Sequence, residues 1–178
     1  MENLINYINE KLKISSKSKV ERYKYVPKDN NELYKLVRSR INNEGEDVDL
    51  NDIDVSNIKD MSNMFFYTKF HGDISGWNVS NVESMKGMFE SSTFDGDISN
   101  WNVSNVKNMK DMFSMSQFNG DISKWDVSNV KFMDKMFFGS DFDGDIEKWN
   151  TKSLVSSKQM FLSAPISKHR PSWYNASK

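Results

Sequence analysis

The chain has 178 residues, 37% of them hydrophobic, a formal charge of −1 and no cysteine. The missing cysteines exclude disulfides, thiolate metal sites and cysteine nucleophiles. The balanced charge argues against a general nucleic-acid binder or a polybasic membrane protein, and the length suits a substantial but economically built core.

In chain order, "MENLINYINEKLKI" carries an acid at position 2 and no uninterrupted apolar stretch. It reads as neither a secretory signal nor a spanning helix. No membrane insertion and a cytoplasmic location are therefore expected, with cell surface or virion as alternatives. Leu4, Ile5, Ile8 and Leu12 fit a short amphipathic helix. The following "KLKISSKSKVERYK" holds a local basic surplus without interleaved aromatics, which reads as a solvated connector rather than a phosphate-binding strip. "VPKDNNELYKLVRSRINNEG" then predicts a capping helix. Asp29 followed by Glu32 is a capping-box pattern, Leu33, Leu36, Val37, Arg40 and Ile41 lie on a helical grid, and Gly45 is a stop. Residues 1–49 are assigned to this helical segment and cap.

From Leu50 onward the chain repeats itself every 24 residues. Trp77, Trp101, Trp125 and Trp149 mark the period, as do Phe70, Phe94, Phe118 and Phe142 and the glycines Gly72, Gly96, Gly120 and Gly144. About five units fill residues 50–163. A fixed period of this length is the mark of a stacked repeat. Within a unit, Ile74, Trp77, Val79 and Val82 have the cadence of a leucine-rich repeat, in which a short parallel strand points alternate residues inward. Val82, Met85, Met88 and Phe89 have three-and-four spacing, which suits one or two helical turns, with Ser80 as N-cap. The "GDIS" segment turns the chain into the next strand.

One such unit buries too little apolar surface to offset the entropy of ordering it. Stacked copies bury each tryptophan, valine and methionine against its counterparts. The expected fold is an α/β repeat: a leucine-rich-repeat-like solenoid of about five 24-residue units, each a short parallel strand plus a short helix or turn, with a helical N-terminal cap. Asn57, Asn81, Asn105 and Asn129 are expected to satisfy backbone groups at each bend. Residues 164–178 form a C-terminal cap and tail, in which Trp173, 24 residues after Trp149, lays a last aromatic over the open face.

The unit "ISNWNVSNVKNMKDMF…FNGDIS" resembles the BspA-like leucine-rich-repeat surface-protein family, the DUF285 repeats found in gut bacteria, mycoplasmas and phages. The match covers about Leu50 to Phe161, and the lead-in from "YVPKDNNELYKLVRSRINNEG" is similar to that family's as well. The resemblance implies a solenoid scaffold with a role in recognition or adhesion, and it supplies no catalytic residues. The chain departs from surface members in lacking a lipidation cysteine and a wall anchor, which favours a phage or cytoplasmic member.

The residues themselves assemble no nucleophile, base and orienting acid: the two histidines, His71 and His169, lie far apart in sequence. Glycines come one per unit, so no phosphate-cradling loop is present. The column Asp73, Asp97, Asp121 and Asp145 is open to two readings, turn hydrogen bonding or calcium held between stacked turns. The glycine-rich nonapeptide of calcium-binding β-rolls is missing. No cofactor and no metal are expected.

Two surfaces compete for a partner. The strand face is small and polar, with charge only toward its C-terminal end at Lys124, Asp126 and Lys148. The second carries departures from the repeat toward aromatics and methionine: Phe66, Tyr67, Met115, Phe132 and Phe138. Apolar groups exposed on a soluble protein call for a reason. Phe66 and Tyr67 divide between packing on the cap and binding a partner, whereas Phe132 and Phe138 favour a partner. The functional expectation is a non-enzymatic, monomeric scaffold for protein–protein recognition. Alternatives are a small phage-encoded inhibitor of a host defence enzyme and an adhesin for a host or cell-wall ligand.

Overall fold

A computed structural model describes residues 23–176. The proposed helix through Leu4 and Leu12 and most of the basic connector lie outside them. Helix α1 spans Asn30–Glu44. Its start follows the capping logic: the Asp29 carboxylate accepts from the Glu32 amide at 2.8 Å, and Glu32 reaches back to the Lys28 amide at 2.9 Å. Gly45 ends it with φ at 104° and an amide donated to the Ile41 carbonyl. Leu33 and Val37 are buried. Arg40, also buried, grips Asp52 at 3.0 and 3.2 Å, the Asp49 carbonyl at 3.1 Å, and Glu44 on its own helix. The helix is thereby tied to the edge of the first unit, beside which Tyr25 makes a parallel bridge with Ile53.

The units lie against one another at the 24-residue offset. Parallel bridges link Asp60 to Ser84, Ser84 to Asn108, Asn108 to Phe132 and Phe132 to Ser156. Beyond each bridge, alternate amides donate to the next unit. Those of Met61, Asn63, Phe65 and Tyr67 reach the carbonyls of Ser84, Lys86, Met88 and Glu90 at 2.8–2.9 Å, and the same four bonds recur at each later junction. The residues between them close tight turns, such as Met64 to Met61 and Phe66 to Asn63.

This backbone differs from the expectation at two places. Ile74–Val82 forms turns rather than a strand, and the parallel pairing occurs further on, at one residue per unit. Val82–Phe89 takes the turn form, not a helix, and Ser80 caps nothing helical. The reason is competition for amides. A helix needs every amide for its own i−4 carbonyl, and here every second one is committed to a neighbouring unit. Left-handed residues complete the break, at Asn63, Gly87, Asp111, Lys135 and Gln159 and again four residues later at Tyr67, Ser91, Met115, Gly139 and Ser163.

Columns of rings fill the interior. Phe65, Phe89, Phe113, Phe137 and Phe161 stack at 5.3–5.9 Å, and Phe70, Phe94, Phe118 and Phe142 at 5.9–6.5 Å. Trp77 lies parallel to Trp101 at 6.5 Å. Each indole also spends its N–H on the preceding unit, Trp101 Nε1 donating to the Ile74 carbonyl at 3.2 Å and Trp125 to Ile98 at 3.1 Å. A buried indole thus avoids an unpaired donor. Asn81, Asn105 and Asn129 donate their side-chain amides to Ser56, Ser80 and Ser104 carbonyls at 2.7–2.8 Å, the backbone role foreseen for that column. Gly96 is needed for close approach: a Cβ there would stand 2.7 Å from the Phe94 ring. At the far end Trp173 stacks on Trp149 at 6.2 Å and donates to the Ile146 carbonyl, while Tyr174 meets Phe161 edge-on at 4.8 Å.

Candidate functional site

Around each unit the charges are sorted. On the turn edge, Asp73, Asp97, Asp121 and Asp145 each accept the amide two residues ahead at 2.8–2.9 Å. The Ser99 and Ser123 hydroxyls, and after them the amides of the same residues, hold Asp97 and Asp121 below the ordinary carboxylate range. Among the described residues no group of three or more His, Cys, Asp or Glu is placed to hold a metal ion. His71 lies in a turn, its amide on the Glu46 carbonyl, and His169 pairs with Asp143 at 2.7 Å.

The charged residues expected on the strand face are all exposed. Asp126 spends a carboxylate oxygen on the Ser128 amide at 3.0 Å. Lys124 and Lys148 stand exposed in the same column of successive units.

The aromatic departures fall on the other edge, where the units exchange their amides. Phe66 and Tyr67 are 42% and 79% exposed, their rings 6.3 Å apart. They are held at the N-terminal end by Arg38, whose Nη2 donates to the Phe66 carbonyl at 2.7 Å. Tyr67, Thr68, Lys69, Ser91 and Thr93 line an open hollow of about 290 Å³. Met115, 58% exposed, lies over Gly139, and its amide donates to Phe138. Phe132 and Phe138 are only half-buried rather than fully displayed, because lysines cover them: Lys110 Nζ stands 4.9 Å from the Phe132 centroid and Lys135 Nζ 5.8 Å from that of Phe138. Such placements add cation–π attraction.

The structure joins Met115 to Phe138, the Met115 amide donating to the Phe138 carbonyl at 2.7 Å, while Phe132 lies in the bridged column between Asn108 and Ser156. It also adds residues that the sequence reading passed over. Lys110, Asp134, Lys135, Ser156, Lys158 and Gln159 line an open cleft of about 560 Å³ beside the last unit, with Ala176 on its rim, and exposed Leu162 occupies the Phe138 place one unit on. At the centre of the cleft, burial alone would raise the Asp134 carboxyl. Hydrogen bonds from Lys110, Ser156 and the Lys158 amide outweigh that and hold it below the usual range. The signal was present in the repeat, where one column reads Ser62, Lys86, Lys110, Asp134, Lys158.

The described residues thus form repeating units whose amide-exchanging edge carries the aromatic departures and several lysines. A family model described as "Mycoplasma protein of unknown function, DUF285" matches residues 31–117 and again 113–177. The chain belongs to this family. No curated protein and no solved structure matches it. No described helix is long and apolar enough to cross a membrane.

Proposed function

We propose that the protein is a non-enzymatic, BspA-like leucine-rich-repeat solenoid that recognises another protein through its amide-exchanging edge. The parallel pairing at a constant 24-residue offset and the ring columns shared between units support the solenoid. One observation carries the recognition. Where sister units place Ser, Asn or Glu, this edge carries Met115, Phe132, Phe138 and Leu162, with Lys110 over the Phe132 ring and Lys135 over that of Phe138. Half-buried aromatics rimmed by flexible cations are the composition of interface anchors.

The test is affinity capture from host lysate with the native chain and with a Phe132→Ser/Phe138→Ser variant. A protein retained by the native chain and lost with the variant, at unchanged far-ultraviolet circular dichroism, is the expected result. Equal retention by both would move recognition to another surface.

A further inference from the structure

The last unit is unlike the others in one respect. At the junction below it, the amides of Met133, Lys135, Phe137 and Gly139 donate to the carbonyls of Ser156, Lys158, Met160 and Leu162 at 2.7–2.9 Å. The corresponding amides of the last unit, those of Ser157, Gln159, Phe161 and Ser163, have no acceptor among the described residues. Two of them, Gln159 and Ser163, belong to exposed residues held in the left-handed conformation, with φ at 57° and 64°. The cap roofs only part of the row, where Tyr174 packs on Phe161. Gln159 borders the lysine-lined cleft. A row of unpaired main-chain donors at alternate residues is a template for another chain.

The charge of the occupant can be read from the unit below. There Asp134 bridges two units, taking Lys110 Nζ at 2.7 Å and the Lys158 amide at 3.0 Å. Lys158 is the next residue in that column and is exposed.

We propose that this open edge and the cleft beside it dock an extended acidic segment of a partner protein. Its carbonyls accept from Gln159 and Ser163, and its carboxylates meet Lys135 and Lys158. The inference rests on the recognition reading above and specifies the chemistry of the partner. A second copy of this chain fits poorly. The matching face of the first unit lies against α1, where Arg38 already occupies the Phe66 carbonyl. A nucleic acid would meet the lysines but offers no carbonyls at peptide spacing to the amide row.

The experiment is a titration of the ¹⁵N-labelled full chain with an eight-residue peptide of alternating Asp and Val. The Lys–Val counterpart and an eight-nucleotide oligothymidine are run in parallel. Saturating Asp–Val peptide is expected to slow exchange of the Gln159 and Ser163 amides about tenfold or more, an added opening free energy of about 1.4 kcal/mol. Lys158→Gln, checked for an unchanged melting curve, is expected to weaken this binding about fivefold. The proposal is overturned if the two amides are already protected in the free chain, if the Lys–Val peptide or the oligothymidine does as well, or if the chain dimerises through this edge instead. Loss of the Phe132/Phe138-dependent partner alone would sink the recognition reading. An unresponsive last unit with that partner intact would sink only this proposal.

Discussion

Gly96→Ala is the most pointed test of how the units fit. The added Cβ would stand 2.7 and 2.8 Å from Cε2 and Cζ of Phe94, well inside the separation of two carbons in contact. The ring has little room to retreat: Phe94 is fully buried, 4.6 Å from Phe89, 5.9 Å from Phe70 and 6.5 Å from Phe118. Overpacking of this kind costs about 1–3 kcal/mol. Stiffening of the unfolded chain returns about 0.4–1 kcal/mol, leaving a net loss of roughly 1–2 kcal/mol. For a chain of this length, that corresponds to a melting temperature lower by about 2–8 °C. Urea unfolding followed by tryptophan fluorescence gives the value directly. Phe94→Leu removes the ring edge that the new methyl strikes, so a double-mutant cycle isolates the clash. Gly96→Ala should cost less in the Phe94→Leu background than in the native one. A neutral or stabilising Gly96→Ala, or strict additivity of the pair, would refute close approach as the reason for that glycine.

Trp101→Phe removes the indole donor and leaves the Ile74 carbonyl with the Trp77 amide alone. With the lost ring volume, a destabilisation of about 2–4 kcal/mol is expected by chemical denaturation, and a cost below about 1 kcal/mol would mean that the indole hydrogen bond is dispensable. Acid should weaken the fold through its depressed carboxyls. Asp73, Asp97, Asp126 and Asp134 are all held below their ordinary range, the first three chiefly by amide and hydroxyl hydrogen bonds from the serine two residues on. Their stabilisation is complete above the unfolded value of about 4 and is lost as pH falls through the lower folded values. The urea midpoint is therefore expected to hold from neutral pH to about 5 and to drop below about 4, and a midpoint unchanged at pH 3 would contradict this. Glu90 runs the other way, since burial and then the nearby Asp111 raise it; Glu90→Gln should raise the neutral-pH midpoint slightly.

The period, the residues that face inward and the helix over the first unit were all legible in the chain alone. Those depend on local chemistry: ring and methionine columns recur at fixed spacing, and Asp29, Glu32 and Gly45 punctuate a helix whatever surrounds it. The asparagine column was legible for the same reason, because an amide two residues after a buried valine in unit after unit, at Asn81, Asn105 and Asn129, has a backbone group to satisfy. The aromatic departures at Phe66, Tyr67, Met115, Phe132 and Phe138 also stood out against the repeat. What they touch did not. Three-and-four spacing of Val82, Met85, Met88 and Phe89 fits any backbone that returns inward every three or four residues, so it could not separate a helical turn from a spiral of tight bends. Only the neighbouring unit, by taking every second amide, decided between them. The cleft was equally hidden. Lys110, Asp134 and Lys158 are spaced a full unit apart, and they converge only because the units lie against one another at that offset. Among the described residues the amides of Ser157, Gln159, Phe161 and Ser163 find no acceptor, whereas the same backbone positions are saturated at every junction below, a difference no local sequence pattern records.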